Sequence, residues 1–272
     1  MKLQTTVDIK PSAWKIGYED KILMVGSCFS DEIGAQMTQR ALQVTCNPFG
    51  TLYNPLSIAQ ALTMTEMPEL IRHEGLYHSM FHHGSFSRTD KTEAEQAVRA
   101  SIQTMQQALQ EATVVIVTFG TAWVYEMCID HVWSIVGNCH KLPENTFTRR
   151  RLSVDEIVAA WQPILERYPD KHWLFTVSPI RHIKDGLHEN QLSKATLLQA
   201  VEQLGDYFPS YEIMLDELRD YRFYADDLVH PSSLAVNYIW ERFIDTYCTP
   251  QTRNEMTLRW KQWKQSQHRP LH

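Results

Sequence analysis

The chain has 272 residues, 43% hydrophobic and 21% charged, with 26 Lys+Arg against 32 Asp+Glu and a formal net charge of −6. That length and balance fit one large α/β domain with a substantial core, and the acidic surplus argues against a dedicated binder of nucleic acid or of anionic membranes. Five cysteines without paired short spacings point to neither a disulfide framework nor a zinc site.

Free thiols fit a reducing compartment, so a cytoplasmic protein is expected. The opening MKLQTTVDIKPSAWKIGYED has no apolar leader region. No stretch approaches the ~18 consecutive apolar residues of a membrane span.

KILMVG (21–26) reads as a buried strand closed by glycine. SDEIGAQMTQRAL (30–42) follows as a helix, with Ser30 placed to cap it and Asp31 and Glu32 in its first turn. Two Asn-Pro pairs and Gly50 in CNPFGTLYNPLS mark an ordered loop, and a helix is expected over 56–65. Residues 66–90 form an irregular insertion containing YHSMFHHGSFS. Thr92 and Glu95 make a capping box ahead of the helical stripe Val98, Ile102, Met105 and Leu109.

TVVIVTFG (113–120) is a strand of the buried type, and HVWSIVG (131–137) can pair with WVYEM as a hairpin. Ser153 and Glu156 box the start of a helix that contains Pro163. Then come a strand at 172–180, a helix at 193–204, a strand at 211–218 and a helix at 232–247. The tail, about 248–272, is polar with spaced tryptophans and reads as a helix packed on the body. Alternating strands and helices predict a mainly parallel sheet in one domain spanning 1–272, with ligands bound beyond the carboxyl ends of its strands.

A nucleophile needs a base in reach, and the base needs a carboxylate to orient it. Among twelve histidines, His230 in YADDLVHPSS has the most telling context, since Asp227 three residues earlier can fold back onto its imidazole. Ser27 and Cys28 stand at a strand–helix junction, where either side chain can serve as nucleophile or as helix start. His78 and His82 have the i, i+4 spacing of metal ligands on a helix, but the Gly, Ser and Phe around them read as loop and no acidic ligand adjoins. No metal is assigned, and His82 is expected to wall the active site. Asn138, Cys139 and His140 in NCHK are candidate site-lining residues, and Arg181 and His182 sit where an anionic substrate group could bind.

VGSCFS resembles the signature of the GSCFA domain family, with Ser30 where the family name has alanine. NPFGTLYNP, FGTAWVYE, NCHKLP, SPIRHIKDG and LRDYRFYADDLVHPS are similar to that family's other blocks, so the resemblance covers roughly 20–247. The family is similar in turn to the SGNH (GDSL-type) hydrolases. That likeness implies a flavodoxin-like α/β fold with Cys28 at the position of the nucleophilic serine and Asp227 and His230 as the Asp-x-x-His pair. It also implies Gly50 as a donor to the oxyanion.

The third block departs from the hydrolase pattern, because GTAW puts Ala122 where an asparagine is expected. Thr121, Asn47 or Asn138 would have to supply that donor, whose loss typically costs ~10²–10³ in rate. A thiolate at Cys28 would be favoured by His230 and the helix N-terminus. The implied activity is hydrolysis of a small or carbohydrate-linked acyl ester without a cofactor. Acyl transfer from a thioester donor on the same residues is the alternative. A ligand-binding module that has lost catalysis is the reading from another class. Nucleic-acid and membrane partners are not expected.

Overall fold

Successive residues of β1 (Lys21–Gly26) point to opposite faces of the sheet, and both sets are apolar. Leu23 and Val25 enter one core cluster, and Ile22 and Met24 enter the other. A strand buried on both faces belongs in the middle of a sheet covered by helices on each side. The computed structural model, which describes residues 4–129 and 131–267, has that arrangement.

After β1 come α1 (Cys28–Thr38), β2 (Gln43–Cys46), α2 (Pro55–Thr63), the hairpin β3 (Leu70–His73) and β4 (Leu76–Ser79), and α3 (Lys91–Glu111). The chain continues through β5 (Val114–Phe119), β6 (Trp123–Ile129), β7 (Val132–Val136), β8 (Thr148–Arg151), α4 (Val154–Arg167) and β9 (His172–Val177). It ends with α5 (Leu187–Leu204), β10 (Asp206–Phe208), α6 (Ser210–Glu212), α7 (Ser233–Tyr247) and α8 (Pro250–Gln267).

The main sheet has the order β10-β9-β5-β1-β2 and every pairing in it is parallel. The fold is α/β and flavodoxin-like. Helices α2, α3, α4 and α5 cover one face, with Ile58, Val98, Trp161 and Leu197 at the centre of that layer. Helices α1 and α7 cover the other through Phe29, Ile33, Ile239 and Phe243, with Met256 of α8 at its margin. The chain leaves β1 for β2 on one side and reaches β5 on the other, so the sheet's topological switch lies between β1 and β5. A crevice opens at the carboxyl ends of strands on either side of such a switch. Outside the main sheet, β6, β7 and β8 form an antiparallel sheet of order β7-β6-β8.

Several expectations are corrected. Helix α1 begins at Cys28, two residues earlier than predicted, and Ser27 rather than Ser30 is its cap. Ser30 is instead a buried helical residue whose hydroxyl donates to Thr118 Oγ1 at 2.8 Å. Helix α3 is capped by Asp90, whose Oδ1 accepts from the Glu93 N–H at 2.9 Å, and not by a Thr92–Glu95 box. The Ser153–Glu156 box is present.

The insertion at 66–90 contains the β3–β4 hairpin, and α5 starts six residues before its predicted beginning at 193. YEIMLDEL is not a strand: α6 continues into a π turn over Ile213–Glu217, and the fifth strand is the three-residue β10. Short apolar runs do not distinguish a buried strand from a buried helix. Here the Ser210 hydroxyl, donating to Val177 O at 2.8 Å, ties the first residue of the helix to the end of β9. The tail forms α8 as far as Gln267, and 268–272 lie outside the described residues. Among the described residues no helix is long and apolar enough to cross a membrane.

Candidate active site

The turn from β1 into α1 is built around Gly26. Its φ is +139°, and a Cβ there would stand 2.2 Å from Thr118 O, so only glycine lets β1 and β5 meet this closely at their ends. The Ser27 N–H donates to Thr118 O at 3.2 Å. The buried Ser27 hydroxyl accepts from the Phe29 N–H at 3.4 Å and caps the helix. Cys28, the first helical residue, is half-buried and lines the cavity above the sheet. Among the described residues nothing accepts from its N–H, one of the orphan donors of a helix start.

Burial raises the Cys28 thiol pKa, with Asp31 and Glu32 adding to the rise, while the N–H groups of Cys28 and Phe29 oppose it. The predicted net lowering is therefore corrected: the N–H groups at the helix start do lower it, but burial outweighs them and His230 does not contribute, so this cysteine is a thiol at neutral pH.

Asp227 and His230 occupy a tight loop before α7 in which Leu228 takes a φ of 57°. Asp227 Oδ1 accepts from the N–H groups of Val229 at 2.9 Å and His230 at 3.0 Å, and Oδ2 lies 2.6 Å from His230 Nδ1. These contacts hold the Asp227 carboxyl down at about 2, the His230 N–H contributing most. An ionised carboxylate only accepts, so the proton is on Nδ1 and Nε2 is left basic. Arg181 fastens the loop from β9's side. Its guanidinium donates to Leu228 O and lies 4.4 Å over the Tyr224 ring, and its N–H reaches Val229 O at 3.3 Å. It braces the Asp-x-x-His loop in addition to lining the cavity.

Cys28 and His230 line one cavity of about 510 Å³, together with Ser27, Tyr53, Asn54, Thr121, Asn138, Cys139, Arg181 and His182 among others. No hydrogen bond joins the thiol to the imidazole. Catalytic pairs are often loose before substrate binds. His182, half-buried beside them, is held at about 4 by burial first and then by Lys194, His230 and Arg149, so it is neutral at pH 7.

Lys194 was not anticipated. It is 1% exposed, and its Nζ donates to Gly120 O at 2.7 Å and to Ser178 O at 2.8 Å, which ties together the chain just beyond β5 and β9. Among the described residues no carboxylate pairs with it. Burial lowers its pKa to about 7. One signal was available in the sequence: Lys194 shares a helical face with Asn190, Leu197 and Val201, all buried.

The oxyanion candidates divide. The Gly50 N–H donates to Asn47 O at 2.7 Å and Gly50 does not line the cavity, so it is not the donor expected of it. Asn47 is likewise committed, accepting from the Gly26 N–H at 2.8 Å and donating to Asp31 Oδ1 at 2.7 Å. The Thr121 N–H goes to Tyr53 O at 2.9 Å, although the residue does line the cavity. Asn138 also lines it; its Oδ1 accepts from the His140 N–H at 2.9 Å, and among the described residues its NH₂ has no acceptor.

The expected roles of His82 and His140 are corrected. His82 is a core residue, 0% exposed, stacked on Phe49 at 4.0 Å and held between the hydroxyls of Ser79 at 2.7 Å and Ser101 at 2.8 Å. His140 donates from Nε2 to Ser79 O at 2.8 Å, so of the Cys139–His140 pair only the cysteine reaches the cavity. His78 is spoken for too, with Ser87 Oγ 2.7 Å from its Nδ1. Among the described residues no three His, Cys, Asp or Glu side chains converge as metal ligands.

No curated protein matches this chain. The sequence profile described as the GSCFA family matches residues 21–243, from the first residue of β1 into α7. The matched span is most of the chain and includes Cys28, Asp227 and His230, and the protein belongs to the GSCFA family.

Proposed function

We propose that this protein is an SGNH-like acyl-ester hydrolase with Cys28 as nucleophile, His230 as general base and Asp227 as the group that orients His230. The observation that carries this reading is that Cys28, at a helix start, and the Asp227-oriented His230 open onto one cavity at the carboxyl edge of a parallel sheet. The Ser27 hydroxyl is buried and occupied as a cap, which favours Cys28 over Ser27. In the reaction, Nε2 of His230 takes the thiol proton as Sγ bonds to the ester carbonyl carbon. The protonated imidazole then gives that proton to the departing alkoxide, leaving a thioester. Water, deprotonated by the same nitrogen, attacks the thioester, and the Cys28 sulfur leaves and regains its proton. The Cys28 N–H and the Asn138 amide are the donors offered to the oxyanion.

Attack by an alcohol or amine in place of water would make the same site an acyltransferase. The lack of a hydrogen bond between Cys28 and His230 is what favours a binding module instead. Burst kinetics with p-nitrophenyl acetate separate the readings. An enzyme releases p-nitrophenol in a burst that Cys28→Ala and His230→Ala abolish, and added nucleophiles reveal transfer. A binding module gives no release above buffer in any variant.

A further inference from the structure

The chain carries a net charge of −6, yet its cavity is cationic. Arg149, Arg181 and Lys184 line it, and Asp185 is the only carboxylate among the lining residues. Asp185 is committed to Arg149, with which it forms an ion pair. Arg149 is also fixed from the other side, its guanidinium 4.3 Å over the Trp123 ring and 5.4 Å over that of Tyr125. Lys184 has no carboxylate partner among the described residues, and neither has Arg181, whose Nε is buried without an acceptor. Lys184 and Arg149 both act on the Cys139 thiol, opposing the rise that burial causes there. Cys139, Arg149 and Lys184 line the same cavity. A cleft with low-dielectric walls focuses such a field and concentrates ligands of opposite sign.

We infer that the site takes an acyl substrate bearing an anionic group, a carboxylate or a phosphate, which Lys184 and the Arg149 guanidinium hold at the Cys139 wall. This deepens the hydrolase reading and rests on it for the acyl part, whereas the anion subsite can be tested without catalysis. Lys184 is the specificity residue, because its ammonium has no internal counter-ion to surrender. Arg149 is the positioned member of the pair, its plane set by Asp185 and two rings. A flexible ammonium beside a fixed guanidinium suits a carboxylate or phosphate oxygen cluster.

The test is calorimetric titration of the whole protein with glutarate, with inorganic phosphate and with the uncharged glutaramide. Glutarate or phosphate is expected to bind while glutaramide does not. Lys184→Gln, an exposed substitution that leaves the fold intact, weakens that binding by about tenfold, the size of one charge-assisted contact. Lys184→Arg restores it, and rising salt weakens it in the wild type. Whichever anion binds identifies the group. Equal binding of glutarate and glutaramide, unchanged anion binding in Lys184→Gln, or no binding of either anion overturns the inference. The burst with neutral p-nitrophenyl acetate is measured in parallel. A wild type that binds the anion but shows no burst counts against the hydrolase reading alone.

Discussion

Asp227 grips His230 at both its backbone and its ring, accepting from the N–H at 3.0 Å through one carboxylate oxygen and lying 2.6 Å from Nδ1 through the other. The contacts with His230 and Val229 hold the carboxyl down at about 2, so it stays an ionised acceptor at neutral pH. Asp227→Asn presents an amide that can turn either its oxygen or its NH₂ to the ring and no longer enforces the Nδ1–H tautomer. The burst rate with p-nitrophenyl acetate is expected to fall about 10²–10⁴-fold with little loss of stability. An unchanged rate would remove Asp227 from the mechanism.

Ser27 and Cys28 adjoin but have separable duties. Ser27→Ala deletes a buried helix cap and should cost ~1 kcal/mol of stability while the burst survives. Cys28→Ala should abolish the burst and leave denaturant unfolding nearly unaltered. The opposite pattern, a burst lost only in Ser27→Ala, would move the nucleophile by one residue.

Because burial raises the Cys28 thiol pKa, alkylation of Cys28 by iodoacetamide should be slow at neutral pH and accelerate as pH rises. Exposed Cys128 should react first. Peptide mapping of the labelled protein reads each cysteine separately. Lys194 ties Gly120 O to Ser178 O, so Lys194→Met takes the donor from two buried carbonyls. Denaturant unfolding should show a loss of about 1–3 kcal/mol, the cost of a buried acceptor left without its donor. An unchanged unfolding free energy would remove Lys194 from the bracing of these two strand ends.

His82 gives the fold an acid sensitivity of defined sign. Burial drops its pKa from 6.5 to about 3. Between those values the unfolded chain holds a proton that the folded protein does not, so stability falls as pH falls through that window. The fall approaches about 1.4 kcal/mol per pH unit for one such group. His182, held at about 4, acts in the same direction down to that pH. His82→Gln can keep both serine contacts without the titration, and its unfolding free energy plotted against pH should be shallower than the wild type's. Parallel plots would reject the assignment.

The features legible in the sequence are those whose partners lie close along the chain. The Asp227–His230 contact spans three residues and closes within one turn. The Ser153–Glu156 box does the same, and the strands β1, β5 and β9 declare themselves by unbroken apolar runs. His82 and His140 were misread because their partners are remote, and Gly50 because its N–H is taken three residues back by Asn47 O. A Cβ on Gly50 would meet His83, His82 bonds Ser101 on α3, and His140 bonds Ser79 on β4. The stretch 211–218 was misread for a related reason: its apolar content says that it is buried, and only its neighbours decide whether it is buried as strand or helix.

By itself, then, the sequence determined the α/β alternation, the family and the local pieces of the site, because hydrophobic period, caps and short turns are properties of neighbouring residues. Only the tertiary structure decided which pieces share a cavity. The parallel order β10-β9-β5-β1-β2 carries the loops after β1, β5 and β9 to one edge. There Cys28, Thr121 and Arg181 meet His230 around one space, although hundreds of bonds separate them along the chain. The same packing buried Lys194 between Gly120 O and Ser178 O and committed His82 to Ser101. Burial and hydrogen-bond competition between distant residues settle those outcomes, and no local pattern encodes them.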